Sequence, residues 1–182
     1  MKGILFTSFV EFAELNFGFD FVDKMLDRVD LSTGGAYTNV GSYPAQELLD
    51  MVAYIVSCTN SDEKAMQLEF GSFTFGKLVA RYPKLVENYQ NSFECICEVD
   101  QTIHRMVRRL YPEAELPELF AKLDETGNRL SLDYSSSRPL LNVAHGLLRG
   151  CVDYYGDDVD IEMTELSEGQ CRAGNFILTR NE

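Results

Sequence analysis

Apolar residues recur every three or four positions through the first part of the chain and every second position later on. Leu5, Phe9, Phe12 and Leu15 form one stripe at helical spacing, and Phe21, Met25 and Val29 begin another. Gly34-Gly35 mark Ser32 to Gly41 as a loop. Pro44 then stands at a helix start, where a missing N–H costs little, and Leu48, Leu49, Val52, Ile55 and Val56 carry the next stripe. One helix follows Ser61-Asp62-Glu63, and a separate Phe-rich helix is expected from Gly71 to Arg81, so the chain reads as helical up to residue 128. Beyond Asn128 the period changes. Leu130, Leu132, Tyr134 and Ser136 lie two apart, the spacing of a strand, and Pro139 opens a helix carrying Leu140, Ala144, Leu147, Leu148 and Cys151. Val159, Ile161 and Met163 alternate with acidic residues, a turn is expected near Gly169 to Gly174, and Phe176-Ile177-Leu178 closes a strand pair. The pattern predicts an α+β fold: a mainly helical N-terminal part followed by a small antiparallel sheet with helices.

Composition narrows what such a fold can do. The 182 residues carry 16 Lys plus Arg against 29 Asp plus Glu, a net charge of −13, so the basic face that nucleic acid or an anionic membrane requires is missing. Ile4-Leu5-Phe6 is soon followed by Glu11 and Glu14, which fits neither a signal-peptide core nor a membrane span. Five scattered cysteines are unlike a disulfide framework, and Cys95-x-Cys97 lacks the spacing of a zinc knuckle or redox pair. A cytoplasmic protein with reduced, mostly buried thiols is expected.

Two features carry chemistry. On a straight α-helical wheel Phe93, Cys97 and Tyr111 fall within about 20° of His104, so the imidazole belongs to an apolar face. Such a histidine is either a core residue bonded to a carbonyl or a ligand, and a neutral imidazole in an apolar pocket is what a haem iron needs. The second feature is Tyr134-Ser135-Ser136-Ser137-Arg138, a Y-x-S-x-R pattern. In an extended chain it aligns a phenol, a hydroxyl and a guanidinium on one face, a row of donors suited to a pair of carboxylates such as the haem propionates. A polar strand edge leading into a helix cap is the plainer alternative. A buried imidazole, a donor row and greasy helices are together what a porphyrin requires of its protein.

Met1-Lys2-Gly3, His104 followed by Leu110-Tyr111-Pro112, Tyr134-x-Ser136-x-Arg138 and Gly146-Leu147-Leu148-x-Gly150 resemble the H-NOX (haem nitric oxide/oxygen binding) domains. The resemblance spans essentially the whole chain. It implies one domain over 1–182 with a helical lobe over about 1–64 and a haem-anchoring lobe over about 65–182, and a single haem b (ferrous iron protoporphyrin IX) buried between helices and sheet. It also implies His104 as proximal iron ligand, Tyr134, Ser136 and Arg138 as the propionate clamp, and Pro117 as a residue that presses on and distorts the haem. Leu5, Phe9, Leu78, Val143 and Leu147 match distal-pocket positions. Val143 stands where oxygen-binding relatives carry a distal tyrosine. A valine cannot donate to bound O2, so the resemblance implies a sensor of nitric oxide, with CO a further ligand. Tyr37 or Tyr43 would alter this only by reaching in from a loop. Loss of the His104–iron bond is the implied signal. With no output domain in the chain, it implies a sensor histidine kinase or a cyclic-di-GMP enzyme in trans. The alternatives are an oxygen or redox sensor on the same haem, or a cofactor-free acidic interaction module.

The remaining motifs carry less. Arg105, Arg108 and Arg109 form one basic cluster, either a solvated face or a patch for an acidic partner. His145 turns away from the expected pocket. Of the zinc ligands of some relatives only Cys171 survives, so no zinc site is expected. Gly71 to Lys77 has the spacing of a phosphate-binding loop, but Leu78 replaces the magnesium-holding hydroxyl. No nucleophile–base motif is present, and an enzyme is not expected.

Overall fold

A computed structural model describes residues 1–166 and 172–181. Helix α1 (Gly3–Phe17) ends at Gly18, whose positive φ of 85° breaks the path before α2 (Phe19–Arg28). Helix α3 (Ala45–Thr59) begins after Pro44, and α4 (Glu63–Arg81) is capped by the Asp62 carboxylate, which accepts from the Ala65 amide at 2.7 Å. Helix α5 (Ser92–Glu98) runs into a π-helical segment (Val99–His104) and then α6 (Arg105–Leu110). Strands β1 (Glu118–Leu123) and β2 (Arg129–Ser136), helix α7 (Leu141–Tyr155), and strands β3 (Val159–Glu165) and β4 (Arg172–Arg180) complete the order. Among the described residues no helix is long and apolar enough to cross a membrane.

The four strands form one antiparallel sheet in the order β1-β2-β4-β3. Register places Leu132 opposite both Ala121 and Phe176, and Leu130 opposite Leu123 and Leu178. One face therefore collects Leu130, Leu132, Tyr134, Phe176 and Leu178, all buried.

Three expectations are corrected here. Strand β1 lies inside the stretch expected to be helical through residue 128. It is tied back to β2 by a turn in which the Asp124 carboxylate accepts from the amides of Asn128 and Arg129, both at 3.1 Å, and Gly127 takes a φ of 74°. The two helices expected on either side of Gly71 are one, α4. Gly71 does not break it because the glycine serves packing: a methyl there would lie 2.2 Å from the Val143 carbonyl oxygen of α7. This also removes any phosphate-binding loop, since Gly71 to Lys77 is continuous helix and Lys77 pairs with Glu11 of α1. Gly174 lies within β4, opposite Tyr134, instead of in the turn; the rest of the stretch expected to turn, with Cys171, lies outside the described residues.

Two hydrophobic cores result. The first joins α1, α2 and α3 to Met66 and Phe70 of α4, with Phe6, Phe9, Met25, Met51 and Ile55 fully buried. The second lies between the sheet, α5 and α7. Helices α4 and α7 cross between the cores at Gly71 and Gly146, where a methyl on Gly146 would stand 2.0 Å from the Leu68 carbonyl oxygen.

Candidate functional site

The second core does not close. Between α4, the α5–π–α6 run, β2 and α7 lies a cavity lined by Phe75, Leu78, Ile96, Ile103, Leu148 and Phe176, an empty space of ≈ 900 Å³ with its mouth included. A second space of ≈ 800 Å³, lined by Leu5, Ser136, Arg138 and Val143, adjoins it, and Pro117, Tyr134, Ala144 and Leu147 form part of both walls. The two together make one cleft, apolar inside and polar at its rim.

His104 lines the inner cavity at the last residue of the π segment. A π turn lodges extra residues in the helical path, so the straight wheel fails across it. Cys95, Ile96, Val99 and Ile103 face the cavity with His104, whereas Cys97 lines a separate surface groove with Phe93. Tyr111 lies past the end of α6, beneath the Lys2 ammonium at 3.7 Å. The His104 side chain is 14% exposed, and burial holds its pKa below the ordinary value, only partly countered by the Asp100 carboxylate. The imidazole is therefore neutral near pH 7, the form that can bond a metal. Its Nδ1 lies 3.3 Å from Asp100 Oδ1, and Arg108 Nη2 donates to that same oxygen at 2.6 Å.

The donor row stands where extended geometry predicts, with one change: β2 stops at Ser136, and Arg138 follows in a bend. Tyr134 is buried and lines both spaces; burial raises its pKa, against the hydrogen bond with Ser136 and the charge of Arg138. Ser136 Oγ accepts from the Arg138 amide at 3.1 Å. The guanidinium donates to the Glu115 carbonyl oxygen at 2.8 Å and to its carboxylate at 2.5 Å, which uses two of five N–H donors.

Of the positions expected on the distal side, Leu78 lines the inner cavity, Leu5 and Val143 the outer one, and Leu147 both. Phe9 does not. It is fully buried behind the wall, its ring 5.1 Å from Phe70 in the first core. Neither loop tyrosine reaches in: Tyr37 donates to Glu47 at 2.7 Å, and Tyr43 accepts from the Thr38 amide at 2.8 Å. His145 packs towards the sheet, 5.7 Å from Phe176. Of the described thiols, Cys95 and Cys151 are buried in the cavity wall and Cys97 is half-buried, but Cys58 is exposed, so burial is less general than expected. Among the described residues no cluster could hold a metal ion by His, Cys, Asp and Glu together.

Sequence reasoning missed Asp100, Arg108 and Glu115 as partners of the site. Asp100 and Arg108 stand four residues before and after His104, a helical-neighbour spacing that is visible in the sequence; nothing local marks Glu115 as the partner of Arg138.

A greasy cleft with one imidazole on an inner wall and a guanidinium, hydroxyl and phenol at the rim fits a haem. The donor set suits a single metal bond and a grip on carboxylates, and the apolar walls suit a flat macrocycle. Comparison with known proteins agrees. Residues 2–163 match the family described as Haem-NO-binding. The unliganded Fe(II) H-NOX protein from K. algicida is 30% identical, with a TM-score of 0.91 over 100% of this chain and 97% of that one. The H-NOX from Shewanella woodyi, solved with IWP-051 in the Fe(II)CO state, is 33% identical with a TM-score of 0.83, over 100% and 95%. The S. oneidensis H-NOX protein in the Fe(II)NO state shares the fold at 23% identity and a TM-score of 0.89, both chains being covered completely. No curated protein matches the chain. From the family match over most of its length and the cleft it folds around, the chain belongs to the H-NOX family of haem-binding gas sensors.

Proposed function

We propose that this domain senses nitric oxide in the cytoplasm, with His104 holding the iron of a ferrous b-type haem and Tyr134, Ser136 and Arg138 holding its propionates. H-NOX domains are sensors, not enzymes. When bound, the haem supplies an iron at which a diatomic gas coordinates.

The observation that carries the choice of gas is the apolar wall formed by Leu5, Leu78, Val143 and Leu147. Bound O2 develops negative charge on oxygen and depends on a hydrogen-bond donor, whereas bound NO and CO need little such help. Val143 offers no donor. His104 would hold the iron from the inner wall and couples the pocket to the main chain. As the one link between the iron and the main chain, His104 would pass a change at the metal to the π segment and α6, and a partner that binds one arrangement of them better would read it. That partner acts in trans and is a sensor histidine kinase or a cyclic-di-GMP enzyme. Pro117, in both cavity walls, would stand against the haem and press on it.

The test is a visible spectrum of the ferrous protein in air, with and without NO. The expected result is an unliganded spectrum in air and a new one with NO, while Val143→Tyr forms an O2 complex in air. A stable O2 complex of the unmodified protein overturns the reading. His104→Ala should separate gas exposure from control of the partner.

A further inference from the structure

We propose that Asp100 and Arg108 form a positioning relay that fixes the orientation and donor strength of His104 towards the haem iron; this rests on the reading of His104 as the iron ligand. The geometry is specific. Asp100 Oδ1 lies 3.3 Å from His104 Nδ1, and the same oxygen accepts from Arg108 Nη2 at 2.6 Å. An imidazole with Nδ1–H given to a carboxylate is held in one tautomer, with the lone pair of Nε2 left for a metal, and its basicity towards that metal rises. The three side chains stand at four-residue intervals on one helical run, but they differ in exposure: 14% for His104, 36% for Asp100 and 45% for Arg108. The relay therefore runs from the buried ligand to the protein surface.

Arg108 supplies the anchor. Its guanidinium holds the Asp100 carboxylate by a charge-assisted bond, so Asp100 does not swing into water and leave His104 unpartnered. Both residues also line a surface groove with Glu118, Phe120, Asp133 and Leu166. Of the three arginines in the basic cluster, Arg108 is thus the one coupled to the site. Through Asp100, the ligand bond is stronger than an unsupported imidazole would make it, and it resists release.

The test is resonance Raman spectroscopy of the ferrous, unliganded, haem-loaded protein, read at the iron–histidine stretching band. Asp100→Asn lowers the frequency of that band, and Arg108→Ala lowers it by less. Stopped-flow mixing with NO then shows release of the histidine faster by ~10-fold in Asp100→Asn. A purely structural role for Asp100 would change thermal stability and leave the band in place. Haem content is measured for each variant, and the exposed Arg108 provides the result if Asp100→Asn loads poorly. His104→Ala abolishes the band; its persistence would refute His104 as the ligand. A band that His104→Ala removes but that neither relay variant moves overturns the relay alone.

Discussion

The two cores hold similar numbers of buried residues and end differently. In the first, Phe9, Phe12 and Phe70 fill the space between α1 and α4 by edge-on and tilted ring contacts, Phe6 packs against Tyr37 and Tyr43, and of its buried residues Val143 borders the outer cavity. In the second, Leu, Ile and Val side chains from α4, the π segment, β2 and α7 line a hollow. A closed core draws its stability from mutual contact, whereas an open one leaves apolar walls without partners on one side, a cost that persists only where something else binds there. The comparison separates residues that make the fold from residues that make the site.

The largest effects should come from the boundary between the cores and from the closed core. Gly146→Ala places a methyl against the α4 backbone, which cannot yield as a side chain could. We expect a loss of about 3 kcal/mol or more in urea denaturation, despite the better helix propensity of alanine. Next, the cores should answer truncation unequally. Phe9→Ala in the closed core should cost about 3–5 kcal/mol, whereas Leu78→Ala, at a part-buried position on the cavity wall, should cost about 1 kcal/mol. Equal losses would show that the cavity wall is packed as tightly as the aromatic core.

A smaller effect concerns the loop that covers the first core. The Glu47 carboxylate is buried and accepts from Ser32 Oγ at 2.5 Å, the Ser32 amide at 3.2 Å and the Tyr37 hydroxyl at 2.7 Å. Burial pushes its pKa up, but these bonds outweigh burial and hold it below the usual carboxylate value. Glu47→Gln should cost about 2 kcal/mol at neutral pH. A carboxyl with a lowered folded pKa stabilises the fold above its unfolded pKa, and that contribution is lost as pH falls through the folded pKa. The gap between Glu47→Gln and the parent protein should therefore narrow in acid, measured by denaturation at stepped pH.

Much of this division was legible in the sequence. Phe9 and Phe12 and the Leu48–Val56 stripe mark the first core because regular α-helices keep a regular period, but of the same predicted stripe Leu5 turns to the outer cavity and Leu15 is exposed. The donor row at Tyr134 and Ser136 was legible for the same reason in a strand. What failed was local irregularity. The π segment shifts the faces before His104 relative to those after it, so a straight wheel puts Cys97 beside the ligand and Cys95 opposite it, the reverse of their places in the fold. Strand β1 is short, and its Leu119, Ala121 and Leu123 alternate over too few residues to override the helical pattern before it. Gly71 read as a break because composition cannot distinguish a glycine that bends a helix from one that admits a neighbour. Phe9 kept the helical phase of Leu5, but the first core claimed it.

The glycine crossing has one more consequence. Leu78 stands on α4 and Val143 and Leu147 on α7, and these helices touch backbone to backbone at Gly71 and Gly146, with no side chains between them to slide or rotate. That half of the hollow behaves as a rigid plank. Any change in its width must be absorbed on the other bank, by the irregular turn that ends at His104 and the segment leading to Pro117. Motion is thereby channelled to the bank that carries the imidazole.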